Sequence, residues 1–214
     1  MPIAIDLFCG AGGASVGLHR AGFDVIGVDI EPQPRYPFRF VQADALRPPF
    51  DLRKFDFIWA SPPCQKYSIT SSLHKDADHP DLVAPIRELL DSVGKPYVIE
   101  NVPGAPLLNP VTLCGTMFGL RVYRHRLFES NFFFLAPTHK QHTEGPTGSH
   151  RGYSRGNPMV CVAGHNFQAD EGYQAMGIDW MTSREQLAQA IPPAYSEFIG
   201  RAALRMVVES GDNR

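Results

Sequence analysis

The chain has 214 residues, 43% of them hydrophobic, with 20 Lys and Arg against 22 Asp and Glu and a formal net charge of −2. That apolar content fills one core and excludes an intrinsically disordered chain, while the charge balance excludes attraction to polyanions by net charge alone. Cys9, Cys64, Cys114 and Cys161 form no C-x-x-C pair, and no apolar run reaches membrane-spanning length, so we expect a single soluble, cytoplasmic domain with reduced thiols.

Ile3 to Phe8 is a short apolar run with Asp6 inside it. Cys9-Gly10-Ala11-Gly12-Gly13 follows, then a helical pattern over 14–21 that Gly22 ends. Such a strand, glycine turn and helix lets the backbone approach a ligand closely at a helix N-terminus. Ser15 stands where a dinucleotide fingerprint requires glycine, and the Gly-Lys-Ser/Thr of a P-loop is missing, which disfavours a phosphate cradle. A second strand over 23–28 ends at Asp29, placed to accept hydrogen bonds from ribose hydroxyls. A third over 38–41 precedes Asp44. Acids and glycines at the ends of these early strands suit a nucleoside ligand that carries no phosphate.

Phe55 to Trp59 reads as a fourth, buried strand that opens into Ala60-Ser61-Pro62-Pro63-Cys64-Gln65. Two prolines fix φ and remove two backbone donors, stiffening the approach to the thiol. A cysteine held rigidly at a strand end suits a nucleophile, and a buried structural thiol is the plainer alternative. Lys66 to Pro80 is polar and reads as a loop able to close over a substrate. Helical periodicity over 82–93 stops at Gly94, and a strand over 96–99 runs into Glu100-Asn101-Val102. Burial at that strand end would raise the pKa of the carboxylate.

Residues 107–120 read as a helix or turn. Arg124 and Arg126, at i and i+2 on entry to an apolar run over 127–135, project to one face and suit a carboxylate or a phosphate. Residues 137–158 are the least hydrophobic stretch and carry Lys140, Arg151 and Arg155. His139 and His142 lie there too, but without a cysteine pair or a carboxylate cluster we expect no metal. A strand over 158–163, a helix over 183–189 and a closing helix over 195–208 complete the chain. The alternation of strands and helices predicts one doubly wound α/β domain with a mostly parallel sheet.

In this order the motifs resemble those of the cytosine-C5 DNA methyltransferases. Asp6-Leu7-Phe8-Cys9-Gly10-Ala11-Gly12-Gly13 resembles the family's first S-adenosylmethionine motif, and Pro63-Cys64-Gln65 with Ser68 its catalytic motif. Glu100-Asn101-Val102 resembles the acidic motif, Arg124-His125-Arg126 the paired arginines, and Gln189-Ala190-Ile191-Pro192-Pro193 the late motif. The resemblance covers residues 3 to 126 and about 172 to 204. Ala188-Gln189 stands where the family has Gly-Asn, and Tyr123, not glutamine, precedes Arg124.

The resemblance implies a Rossmann-like, S-adenosylmethionine-dependent fold and methyl transfer to C5 of cytosine through a covalent Cys64 adduct. Cys64, Glu100, Arg124 and Arg126 would be catalytic, with Glu100 on the N3/N4 edge of the base, Arg126 on its carbonyl and Arg124 orienting Glu100. Asp6, Leu7, Phe8, Gly10, Gly12, Asp29, Ile30, Asp44, Ala45 and Pro63 would hold the cofactor. Pro63, Gln65, Ser68, Asn101, Gln189, Arg151 and Arg155 would meet the substrate. Residues 1–136 and 176–214 would form the catalytic domain, with 137–175 as a reduced target-recognition insertion. Roughly forty residues are too few for a recognition domain with its own core. We therefore expect short or relaxed specificity, or a partner protein or homodimer that reads the target. The expected partner is DNA, in the cytoplasm of a bacterium or a phage host, with RNA (including transfer RNA) or a free cytosine nucleotide as the alternative substrate. An inactive nucleic-acid-binding module of the same fold is the reading outside enzymology, and intact Cys64, Glu100 and Arg126 argue against it.

Overall fold

The computed structural model describes residues 1–64, 67, 81–143, 159–163 and 167–211. Seven strands form one sheet in the order β3-β2-β1-β4-β5-β7-β6. They are β1 (Ile3–Leu7), β2 (Asp24–Asp29), β3 (Arg39–Gln42), β4 (Phe57–Ala60), β5 (Tyr97–Asn101), β6 (Val111–Leu113) and β7 (Arg126–Ser130). The first five are parallel, β7 runs antiparallel to β5, and β6 antiparallel to β7. The helices are α1 (Gly13–Ala21), α2 (Val83–Val93), α3 (Ala169–Met176), α4 (Arg184–Gln189) and α5 (Pro193–Gly211). None is long and apolar enough, among the described residues, to cross a membrane. The doubly wound, mostly parallel sheet matches the expectation.

Both faces of the sheet are covered because its strands are apolar on both faces. Ala4, Val25, Phe57, Trp59 and Val98 pack with Leu18 of α1 and Tyr195 and Ile199 of α5. The alternate residues Ile5, Ile26, Ile58, Ala60 and Ile99 pack with Val83, Ile86 and Leu90 of α2. The period of two along each strand assigns every side chain to one layer or the other. At Gly17 an added Cβ would lie 2.1 Å from the Pro193 carbonyl oxygen, so α1 and α5 meet backbone against backbone. An ion pair fastens α2 to the far end of the sheet. Arg87 Nε meets Glu129 Oε1 of β7 at 2.6 Å, and Glu129 Oε2 accepts the Leu108 N–H at 2.7 Å.

Three local expectations change. The segment expected as helix or turn over 107–120 holds β6 and a single 3₁₀ turn, Gly115–Phe118. Pro106, Pro110, Gly115 and Gly119 interrupt any helix there. The apolar run over 127–135 is a strand only to Ser130, whose hydroxyl donates to the Phe132 carbonyl at 2.6 Å and turns the chain. Of the strand expected over 158–163, the described residues show only a bridge at Val160, whose N–H donates to Arg121 O at 2.7 Å. A third hydrophobic cluster joins Val160, Val162, Phe167, Ala175 and Met176 to Leu187 and Ala190. Residues counted with the insertion thus share a core with residues that follow it.

Candidate active site

Leu7 pairs with Val28 on one side and Ala60 on the other, and Ala60 pairs with Ile99. The chain therefore leaves β1, β2, β4 and β5 at one edge of the sheet, bringing the glycine turn, Asp29, Cys64 and Asn101 to that edge. Strand β7 runs the other way and pairs Leu127 with Asn101, so its first residue, Arg126, arrives there too. Ligands collect at this edge in open α/β sheets.

On the β1–β2 side the turn is built in the left-handed region, with φ of 60° at Phe8, 48° at Gly10 and 87° at Gly12. The Gly10 N–H donates to Asp29 Oδ2 at 2.8 Å, and the Glu31 N–H to Asp29 Oδ1 at 3.0 Å. Both carboxylate oxygens are thereby fixed in direction while each keeps a lone pair for a ligand. Ile30, next in sequence, is 65% exposed. Asp44 is exposed and caps the Leu46 N–H at 2.9 Å, with Ala45 buried behind it. Asp29, Ile30 and Asp44 thus form a rim with two acceptors and an apolar surface between them.

Two residues expected at this rim lie beneath it. Leu7 is fully buried in the layer under α2. Asp6 is fully buried on the α1 side, where its Oδ2 accepts the Ser15 hydroxyl and its Oδ1 has no partner. Burial first, then the charges of Asp29 and Glu100, push Asp6 up to about 7. The strand period dictates both placements, since side chains within β1 point into one layer or the other and never out of the edge. Tyr36, which sequence reading passed over, completes this buried network with its hydroxyl 2.5 Å from Ser15 Oγ. Its ring lies over Gly27, where a Cβ would stand 2.3 Å away. A glycine inside an apolar strand is the available signal for such a close approach.

On the β4–β5 side, Asn101 Nδ2 donates to the Pro62 carbonyl at 3.0 Å and anchors the Pro62-Pro63-Cys64 turn to the end of β5. Glu100 is 5% exposed and meets Arg126 Nε at 3.1 Å. Burial raises the Glu100 pKa, and Arg126, then Arg124, oppose the rise. Burial and the Glu100 charge raise the Cys64 thiol likewise, against Arg126. Here one expectation is corrected: the guanidinium paired with Glu100 belongs to Arg126. Arg124 spends its donors elsewhere, on the carbonyls of Ala190 (2.8 Å), Val162 (2.7 Å) and Ala188 (2.6 Å). Its backbone, at φ 32°, is held by the Tyr195 hydroxyl donating to the Arg124 carbonyl at 2.9 Å. A left-handed non-glycine residue sends Arg124 away from the face that Arg126 occupies, which the i, i+2 rule for strands does not anticipate. Desolvation first, then Arg126, lowers the Arg124 pKa, and the carbonyls take the place of the lost water.

Pro63 is exposed beside Cys64, and Gln189 is the exposed last residue of α4. Gln65, Ser68, Arg151 and Arg155 lie outside the described residues. The histidines discounted for want of a cysteine pair or a carboxylate cluster do have a single cysteine near them: Cys114, His125, His139 and His142 converge, with their ligand atoms within 4.8 Å of one another.

Residues 3–108 match the C-5 cytosine-specific DNA methylase family. This match spans just under half of the chain. It is 35% identical over 121 residues to the type II methyltransferase M.XorII of Xanthomonas oryzae pv. oryzae, covering 48% of this chain and 28% of that protein. To the type II methyltransferase M1.HphI of Haemophilus parahaemolyticus it is 36% identical over 92 residues, covering 36% of this chain and 25% of that one. The matched stretch is under a third of either relative. Among solved structures, one described as a DNA modification methyltransferase encoded within an Escherichia coli prophage superposes with a TM-score of 0.69 at 17% identity. That similarity covers 98% of this chain and 100% of the other. The S. pombe Dnmt2 methyltransferase gives 0.63 at 15% identity, over 96% and 99%. At these identities the similarity is one of fold. The methylase match takes in the glycine turn, Asp29, Asp44, Cys64 and Glu100 and ends before the paired arginines. The place of Arg124 and Arg126 rests on the geometry alone.

Proposed function

We propose that this chain transfers a methyl group from S-adenosylmethionine to C5 of cytosine in DNA through a covalent Cys64 adduct. The observation that carries the proposal is the meeting of Cys64, Glu100 and Arg126 at the sheet edge that also holds the Asp29 rim. The rim fits the cofactor. Asp29 presents two fixed acceptors for ribose hydroxyls, exposed Ile30 offers an apolar face for adenine, and Asp44 an acceptor for its amine. No atom lies within 4 Å of where a Gly10 Cβ would stand, leaving open space beside the turn. When bound, the cofactor supplies an electrophilic methyl group on a sulfonium centre.

The chain's own residues prepare the base. Cytosine C5 is unreactive while the ring is aromatic, and the Cys64 sulfur makes it nucleophilic by bonding to C6 after losing its proton to solvent. Glu100, held toward its protonated form by burial, donates that proton near N3 and takes up the charge that would otherwise develop on the ring. Arg126 holds Glu100 in place and reaches the base carbonyl. After C5 has gained the methyl group and passed its proton to solvent, the S–C6 bond breaks, the N3 proton returns to Glu100, aromaticity is restored and Cys64 leaves as thiolate. The raised thiol pKa fits activation only with the base in place. A stacked base is out of reach of Cys64, so the target is flipped out or already unpaired.

Residues 1–136 and 176–214 form the catalytic unit in this reading, with 137–175 as a reduced recognition insertion whose later part packs on the catalytic core. Arg151 and Arg155 contact phosphate, specificity is short or relaxed, and a partner protein or second copy supplies any further reading of sequence. Tritium transfer from labelled S-adenosylmethionine to duplex DNA, single-stranded DNA, transfer RNA and CMP in parallel tests the proposal. Label should enter DNA with the parent protein and not with Cys64→Ala. Label in transfer RNA or CMP alone overturns the choice of substrate.

A further inference from the structure

We propose that Cys114, His125, His139 and His142 form a structural zinc site that staples the start of the 137–175 segment to the rim of the active site. The four ligand atoms lie within 4.8 Å of one another. Two contacts are already close: His139 Nε2 to His142 Nε2 at 2.9 Å and Cys114 Sγ to His142 Nε2 at 3.4 Å. A tetrahedral zinc ion with bonds of about 2.0–2.1 Å to nitrogen and 2.3 Å to sulfur sets its ligand atoms about 3.4–3.6 Å apart. The observed spacing brackets that value, and the widest separation allowed here closes with movements of under about 1 Å at each of two side chains. One thiolate and three imidazoles suit zinc, and four protein ligands make the closed site of a structural ion.

The fold supplies the two halves of the site separately. Cys114 follows β6 and is buried, its turn fixed by the Gly115 N–H donating to the Tyr123 carbonyl at 2.9 Å. His125 stands between Arg124 and β7. His139 and His142 follow the sheet, three residues apart, within the described residues 131–143, which hold no helix or strand. The Tyr123 ring stacks on His142 at 3.6 Å and 11° and sets the orientation of that ligand. A segment too short for its own core gains a fixed point from a metal in the way small scaffolds do. On binding, the Cys114 proton passes to solvent as the Zn–S bond forms, so affinity rises with pH.

The test uses the whole chain, freed of metal by a chelator and then titrated with zinc ion alone against a competing chromophoric chelator. We expect one zinc ion per chain, bound at least about 100-fold more weakly by the His139→Ala, His142→Ala double variant, which changes only exposed or half-exposed positions. Cobalt ion in place of zinc should give a thiolate-to-metal charge-transfer band that Cys114→Ser abolishes. Failure of the parent to bind zinc overturns the proposal. So does equal affinity in the double variant with an unchanged circular dichroism spectrum, or a cobalt complex without the thiolate band.

Discussion

Replacing Arg126 by Met removes the cation that faces Glu100 at 3.1 Å and keeps most of the side-chain volume. Leaving a buried carboxylate without its partner costs about 3–5 kcal/mol if the charge stays. The carboxyl avoids part of that cost by keeping a proton, so the loss depends on pH. In the unfolded chain a glutamate titrates near about 4.3; in the fold, burial holds Glu100 above its ordinary value, and Arg126 is the first force opposing the rise. The folded state therefore keeps a proton that the unfolded state releases. Stability from this group is full below the unfolded pKa and is lost as pH rises through the folded one. Arg126→Met moves the folded pKa further up. The gap between variant and parent then widens by at most about 1.4 kcal/mol per pH unit, from the parent's folded pKa to the variant's. Urea titrations at about pH 5 and about pH 8 should show a small loss at the first and roughly 3–5 kcal/mol at the second. Adding Glu100→Gln should return most of that loss and remove its pH dependence. A loss equal at both pH values would refute the reasoning, and so would a double variant no more stable than Arg126→Met, because Arg126 would then act through packing alone.

Cys64→Ala should abolish methyl transfer while leaving S-adenosylmethionine affinity near that of the parent by calorimetry, and DNA carrying 5-fluorocytosine should trap the parent covalently, since fluorine does not leave as a proton does. Asp29→Ala should weaken cofactor binding by about 1.5–3 kcal/mol through loss of a charged acceptor, and unchanged affinity would remove Asp29 from the rim. Arg124→Lys gives up at least one of the carbonyl contacts in the clamp and should lower stability by about 2–3 kcal/mol in urea titrations. Asp6, raised to about 7 by burial, contributes stability that is full below about pH 4 and lost by about pH 7; Asp6→Asn should flatten that decline, as thermal unfolding across this range will read.

The candidate catalytic edge is legible because its signals are local. A glycine cluster after an apolar run, a double proline before Cys64 and an acid after β5 each state their own position, and parallel strands bring such positions to one edge. Their partners were less legible because they depend on tertiary register. Nothing local distinguishes Arg124 from Arg126, and a left-handed backbone at Arg124 decides which of them meets Glu100. Asp6 and Leu7 share the first motif with Phe8 and Gly10, yet they sit inside the strand and the others beyond it. The Cys114 and histidine cluster is divided between the turn after β6, the entry to β7 and the segment that follows, so no spacing rule finds it.

Arg124 also accounts for the unusual Ala188-Gln189 of the late motif. The guanidinium takes the carbonyls of Ala188 and Ala190, and the carbonyl of the next residue, Ile191, would lie 2.5 Å from a Cβ at Gly13. Residues 188–191 are thus gripped from the β7 side by Arg124 and pressed on the other side against the start of α1. Trp180 adds a second tie to that turn, its indole N–H donating to the Ala11 carbonyl at 2.8 Å. Each of these contacts engages the segment or the turn through main-chain atoms. A side chain that contributes nothing but backbone is free to vary so long as φ and ψ are kept, and Gln189 itself is exposed. Ala188-Gln189 therefore leaves intact the work this segment does, which is to hold the glycine turn and the entry to β7 at a fixed separation. That separation sets the distance between whatever Asp29 binds and whatever Glu100 and Arg126 hold, and the proposed methyl transfer between two bound molecules depends on it.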